Sequence, residues 1–99
     1  MQVHVAFQDG FANDEVVIRV NGREVIRETS LSGRDPLVPV AAVRQVEIEP
    51  AAATMRVDVP TRGLSRSFDV NFRESPYLGV AIVGDKIMLR RSSRPFEYA

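Results

Sequence analysis

Apolar side chains return at every second position in one short stretch after another, and that spacing restricts the fold more than anything else in the chain. Val3, Val5 and Phe7 alternate with Gln2, His4 and Gln8; Val16, Ile18 and Val20 alternate with Glu15, Arg19 and Asn21; Met55, Val57 and Val59 stand against Arg56 and Asp58. Successive side chains of a strand point to opposite faces, so a period of two builds sheets with one apolar face. Val40–Val46 is where a helix competes. Its β-branched residues, and the alternation of Val46 and Ile48 with Gln45, Glu47 and Glu49, favour a strand there too.

Turn chemistry punctuates these stretches. Asn21-Gly22 suits a two-residue type I′ turn, which needs positive φ at both central positions, and predicts a hairpin over Val16–Thr29. Thr61-Arg62-Gly63 turns Met55–Val59 into Leu64, Phe68, Val70 and Phe72, and Gly84-Asp85 turns Tyr77–Val83 into a last strand at Lys86–Arg90. Ser30–Pro39 reads as a loop, Pro50–Ala53 as a turn, and Glu74-Ser75-Pro76 as a break. Tyr77–Val83 is apolar on both parities and is expected to lie inside a sheet, covered on both faces. Residues 91–99 read as a tail or an extra edge strand. Ninety-nine residues make one domain, because two cores of half that length would each be marginal.

The run Val16-Val17-Ile18-Arg19-Val20-Asn21-Gly22, followed by Val46-Glu47-Ile48-Glu49-Pro50 and Met55-Arg56-Val57-Asp58-Val59, resembles the small prealbumin-like modules: the transthyretin-like, carboxypeptidase-regulatory-like and PEGA groups. Ala51 stands where their pattern has a glycine after the proline. The resemblance covers about residues 16–87. It implies a folding, adhesion or interaction module without a catalytic site, and it carries over no functional residue. The expected fold is therefore an all-β, antiparallel β-sandwich of seven to eight strands, prealbumin-like or immunoglobulin-like.

Charge and composition exclude several functions. Thirteen basic residues balance thirteen acidic ones, which argues against a chain built to grip nucleic acid or an anionic membrane. Every basic residue except Lys86 is arginine. The absence of cysteine removes disulfides, thiolate zinc sites and cysteine nucleophiles. No stretch approaches the roughly 18 apolar residues of a membrane span, and the start lacks the features of a signal peptide. The chain as written reads as soluble and cytoplasmic, or as secreted if trimmed from a longer parent. His4, the single histidine, falls on the polar parity of its strand and reads as a solvated residue, so no enzyme is expected.

Loop parity locates the candidate sites. If every connection reverses direction, the loops at Asp9–Asp14, Ser30–Pro39, Thr61–Gly63 and Gly84-Asp85 share one end of the sandwich. Asp9, Asn13, Asp14, Asp35 and Asp85 then form a candidate calcium set, since calcium takes six to eight oxygens from such groups; the same residue types are also ordinary turn formers. Tyr77, Phe96 and Tyr98 are candidate ligand-contacting rings, with Arg34 and Arg62 beside the end loops. The expected function is a non-catalytic binding module, for a protein partner or for self-association through a sheet edge or face. The alternative is a carbohydrate-binding sandwich with calcium at the end loops.

Overall fold

The computed structural model describes residues 1–31, 42–49 and 51–96, and among these the secondary structure is strands and one short 3₁₀ turn. The strands are β1 (Gln2–Phe7), β2 (Asp14–Val20), β3 (Arg23–Leu31), β4 (Ala42–Glu47), β5 (Ala52–Val59), β6 (Leu64–Asn71), β7 (Tyr77–Val83) and β8 (Lys86–Ser92). They form two four-stranded sheets, ordered β4-β1-β7-β8 and β3-β2-β5-β6. This is the expected all-β sandwich, with eight strands among the described residues.

Hairpins at the expected turns join β2 to β3, β5 to β6 and β7 to β8. Asn21 and Gly22 take φ of 50° and 83°, as a type I′ turn requires. One pairing departs from the antiparallel expectation: β1 and β7 run parallel, His4 opposite Tyr77 and Phe7 opposite Val80. Strict reversal at every connection produces this, because the first and seventh strands then point the same way. The first strand pairs with β4 and β7 rather than with β2. That order differs from the constant-type immunoglobulin sandwich, in which the first, second, fifth and fourth strands share a sheet.

The inner faces close on Phe7, Phe11, Ile18, Met55, Phe72, Leu78 and Ile87, all nearly inaccessible to solvent. Phe11 comes from the β1–β2 loop and meets Phe7 edge to face, centroids 5.9 Å apart. That loop folds inward because Gly10 takes φ +95° with its backbone against β7: a Cβ there would stand 2.0 Å from the Ile82 carbonyl oxygen.

Two expectations need correction. β7 is central, but only Leu78, Val80 and Ile82 face the core; on its outer side Val83 is 62% exposed. Its outer parity reads as apolar because Gly79 and Ala81 are small, and Gly79 is covered by the buried Gln8 side chain. Residues Arg91 and Ser92 belong to β8, so the tail begins at Ser93 and brings Pro95 and Phe96 back over the sheet. The core of the Ser30–Pro39 loop and the end of the tail lie outside the described residues; Ser30 and Leu31 complete β3.

Candidate functional site

The carboxylate end exists, and its centre is an ion pair. Asp14, the first residue of β2, is buried, and its carboxylate accepts hydrogen bonds from the Ala12 amide (2.8 Å), the Thr61 hydroxyl (2.7 Å), and Arg62 Nε (3.1 Å) and Nη2 (2.8 Å). Arg62 Nη2 also donates to the Gly10 carbonyl at 2.7 Å, so one guanidinium ties the β1–β2 loop to the β5–β6 turn. Burial works to raise the Asp14 carboxyl; the Ala12 amide, the Thr61 hydroxyl and the Arg62 hydrogen bonds and charge outweigh it and hold the group below its ordinary value. Both Asp14 and Arg62 are thereby committed to each other. Asp9, Asn13 and Asp85 are exposed, and among the described residues no three His, Asp or Glu side chains gather as metal donors. Asp35, Arg34 and Tyr98 lie outside the described residues.

The sheet edges are guarded. Ile82 donates its N–H toward β1, to the Asp9 carbonyl, so Ile87 opposite it turns its carbonyl to the free side of β8; there Arg66 Nη1 of β6 donates to it at 3.0 Å. Arg91 Nη2 of β8 donates in return to the Asp69 carbonyl of β6 at 3.1 Å. Arg44 stands opposite Val5, on the inner parity of the edge strand β4; it pairs with Glu28 across the sandwich and donates to the Val43 carbonyl at 3.0 Å. The remaining edge, β3, carries register shifts opposite Asp14/Val16 and Ile18/Arg19. Filled carbonyls and irregular register are both ways of blunting an edge against strand addition.

The two outer faces differ in kind. On β3-β2-β5-β6 most of the charges satisfy one another, the Asp69 carboxylate accepting only from the Thr54 hydroxyl among the described residues. Arg19 meets Asp58 at 2.8 Å, Arg56 meets Asp58 at 3.0 Å, and Arg27 pairs with Glu15 and, at 2.7 Å, with Glu24. Burial works to raise Asp58, yet Ser65, Arg56 and Arg19 bring it below its ordinary value. The hydrogen bond from Arg27 does the same for Glu24. On β4-β1-β7-β8 three large apolar side chains stand exposed: Val43 at 51%, Val83 at 62% and Met88 at 42%. Lys86 and Arg90 on that face form no ion pair among the described residues.

A slot of about 310 Å³ opens on this second face, lined by His4, Ala6, Val43, Tyr77, Leu78, Pro95 and Phe96. Pairing builds it: Ala6 stands opposite Val43, and His4 opposite Tyr77. The His4 and Tyr77 rings stack with centroids 4.6 Å apart at 17°, so His4 is a half-buried wall and not the solvated residue expected. Arg90 lies over the Phe96 ring, 4.9 Å from its centroid. Two of the three candidate rings, Tyr77 and Phe96, thus meet in one site, while Arg62 belongs to the opposite task of locking loops. Val43 and Met88 escaped the sequence reading, although the small outward residues Ala6, Gly79 and Ala81 were a signal that side chains could approach this face. A larger groove of about 620 Å³ lies between β3 and β4, lined by Val20, Val25, Val46 and Ile48 with Arg23, Glu24, Glu47 and Glu49. Comparison with protein-family models, with curated proteins and with solved structures found no match for this chain.

Proposed function

We propose that this chain is a non-catalytic binding module, a prealbumin-like sandwich that receives a protein partner on the outer face of β4-β1-β7-β8. The observation that carries the reading is the contrast between the two outer faces: one pairs most of its charges, the other exposes Val83 and Met88 on the same sheet as an aromatic slot edged by the exposed Val43. Large exposed apolar surface rimmed by polar groups marks interaction sites, and on this face apolar rows at the slot and at Met88 alternate with rows that carry Arg90 and Lys86. The slot is near the lower limit of about 300 Å³ for ligand pockets, which suits one anchoring side chain. Its lining is mainly apolar, with the His4 ring and Tyr77 hydroxyl as the polar groups, so it fits an apolar side chain better than a sugar. The guarded edges favour the face over strand addition as the mode of contact.

The test uses Val83→Glu and Met88→Glu, exposed positions where substitutions usually change stability by no more than about 0.5 kcal/mol. A protein retained from an extract of the source cells by the wild type, then purified, should bind the wild type in calorimetry. It should lose that binding to the double variant while the variant melts normally. Unchanged binding by the double variant would overturn the reading.

A further inference from the structure

We infer that the partner of this face is acidic, an extended segment that seats an apolar side chain between Tyr77 and Phe96 and sets carboxylates against Arg90 and Lys86. The inference rests on the binding reading above and adds the chemistry of what is bound.

The register of β7 and β8 supplies the pattern. On the outer face the paired rows run Tyr77/Ser92, Gly79/Arg90, Ala81/Met88 and Val83/Lys86. Rows two residues apart are about 6.8 Å apart along the strands, the spacing of alternate side chains in an extended chain. From the slot outward, the surface therefore reads aromatic, cationic, apolar, cationic. An extended segment lying along these strands matches it with an apolar residue, an acidic residue two positions on, a second apolar residue after two more, and a second acid beyond.

Charge supports an acidic occupant. Arg19, Arg27, Arg44, Arg56 and Arg62 each pair with a carboxylate. Arg90 and Lys86 pair with none among the described residues, as is also true of Arg23, Arg66, Arg73, Arg91 and Arg94; what sets Arg90 and Lys86 apart is their place in the outer rows of β7 and β8, on either side of Met88, and Asp85, although adjacent to Lys86, makes no ion pair with it. The contact of Arg90 with Phe96 holds a positive charge at the rim of the slot without neutralising it. A second copy of the chain is a poor occupant. A two-fold contact sets a patch against itself, which here brings cations toward cations, and the edges that could pair by strand addition are guarded.

Selection of random dodecapeptides displayed on phage, using the whole chain as bait, tests this directly. Enriched peptides should carry acids alternating with apolar residues. Nuclear magnetic resonance shifts on titration with a synthetic enriched peptide should cluster at Tyr77, Met88, Arg90 and Phe96. Affinity should fall at least about tenfold, or about 1.4 kcal/mol, in Lys86→Glu combined with Arg90→Glu, since like charges brought together cost that much or more, and selection on that variant should switch to basic peptides. Lys86→Glu alone, which leaves Phe96 its cation, guards against a folding defect and should show the same sense of change. Apolar peptides without acids that map to this face and ignore charge reversal would overturn the acidic assignment while leaving the binding module intact. Enrichment of nothing, or of peptides that map to the β3–β4 groove, would overturn both. Two further results would overturn the inference in favour of other occupants: sedimentation with phosphatidylserine vesicles that charge reversal abolishes, and concentration-dependent self-association that Val83→Glu abolishes.

Discussion

Replacing Asp14 by asparagine should cost this sandwich about 3 kcal/mol. The carboxylate accepts four hydrogen bonds, two of them from one guanidinium, and its side chain is 3% exposed. Asparagine keeps one acceptor oxygen and turns an NH₂ group toward donors, so at least one of Ala12 N–H and Arg62 loses its partner. Breaking one side of a buried ion pair costs about 3–5 kcal/mol. Arg62 remains 30% exposed and can recruit water, which places this case at the lower limit. For a domain of this size each kilocalorie lowers Tm by about 4–8 °C, so the variant should melt about 12–24 °C below the wild type. Arg62→Ala should cost less, about 2 kcal/mol, because the Ala12 amide and Thr61 hydroxyl stay with the carboxylate. The double variant should be less destabilised than the sum, by about 1–2 kcal/mol.

Acid titration gives an independent check. The folded carboxyls of Asp14 and Asp58 lie below their ordinary values, so the stability they contribute is present above the unfolded value of about 3.9 and is lost as pH falls below it through the folded values. Wild-type Tm should fall steeply below about pH 4, and Asp14→Asn should flatten that limb without removing it, since Asp58 remains. Calorimetric melting across this range, with the four chains of the cycle, reads both effects. A shift for Asp14→Asn smaller than about 4 °C, or a strictly additive cycle, would refute the lock.

Other perturbations separate backbone from side-chain effects. Gly22→Ala, at φ +83° with open space around its Cβ, should cost about 1 kcal/mol in denaturant titration, whereas Gly10→Ala adds a 2.0 Å approach to the Ile82 carbonyl and should cost about 3 kcal/mol or prevent folding. Equal costs would mean that the β1–β2 loop does not need its close contact with β7. Arg66→Ala with Arg91→Ala uncovers the Ile87 and Asp69 carbonyls, and light scattering over a concentration series should then show self-association absent from the wild type. A monomeric double variant would show the capping to be dispensable. His4→Ala should lower stability by about 1 kcal/mol through loss of the Tyr77 stack, and no change in Tm would contradict the ring contact.

What the sequence made legible was local. Asn21-Gly22, Gly63 and Gly84 fix their hairpins through backbone chemistry that neighbouring residues cannot override, and period two then fixes which face of each strand is apolar. Counting reversals placed Asp9, Asp14, Arg62 and Asp85 at one end, because that step needs only the number of connections. What was hidden depends on pairing across the chain. Phe11 sits in a stretch that reads as a polar loop and is buried because Gly10 turns inward against Ile82. His4 and Gln8 share the polar parity of β1, yet the parallel neighbour β7 covers His4 with Tyr77 and gives Gln8 a glycine to lie on. An aspartate in a loop looks the same in sequence whether it will hold a cation or accept from an arginine; for Asp14 only the position of Arg62 decides it.

The strong preference for arginine over lysine acquires a physical reading on this framework. A guanidinium presents five donors in a fixed planar fork, so one side chain can serve two acceptors that a single ammonium on a flexible stem reaches poorly. Arg62 spans Asp14 and the Gly10 carbonyl, Arg44 spans Glu28 and the Val43 carbonyl, and Arg27 spans Glu15 and Glu24. Arg66 and Arg91 reach across the seam between the sheets to cap each other's strands. In each case the fork is consumed inside the molecule, closing a loop, an edge or a face. On the outer face of β4-β1-β7-β8 the pattern changes: Arg90 lies flat on Phe96 and meets no carboxylate among the described residues, and the one lysine of the chain stands two rows beyond it. Arg23, Arg73 and Arg94 likewise meet no carboxylate among the described residues, so what marks Arg90 and Lys86 for the proposed acidic partner is their place in the outer rows of β7 and β8, beside the apolar slot and Met88.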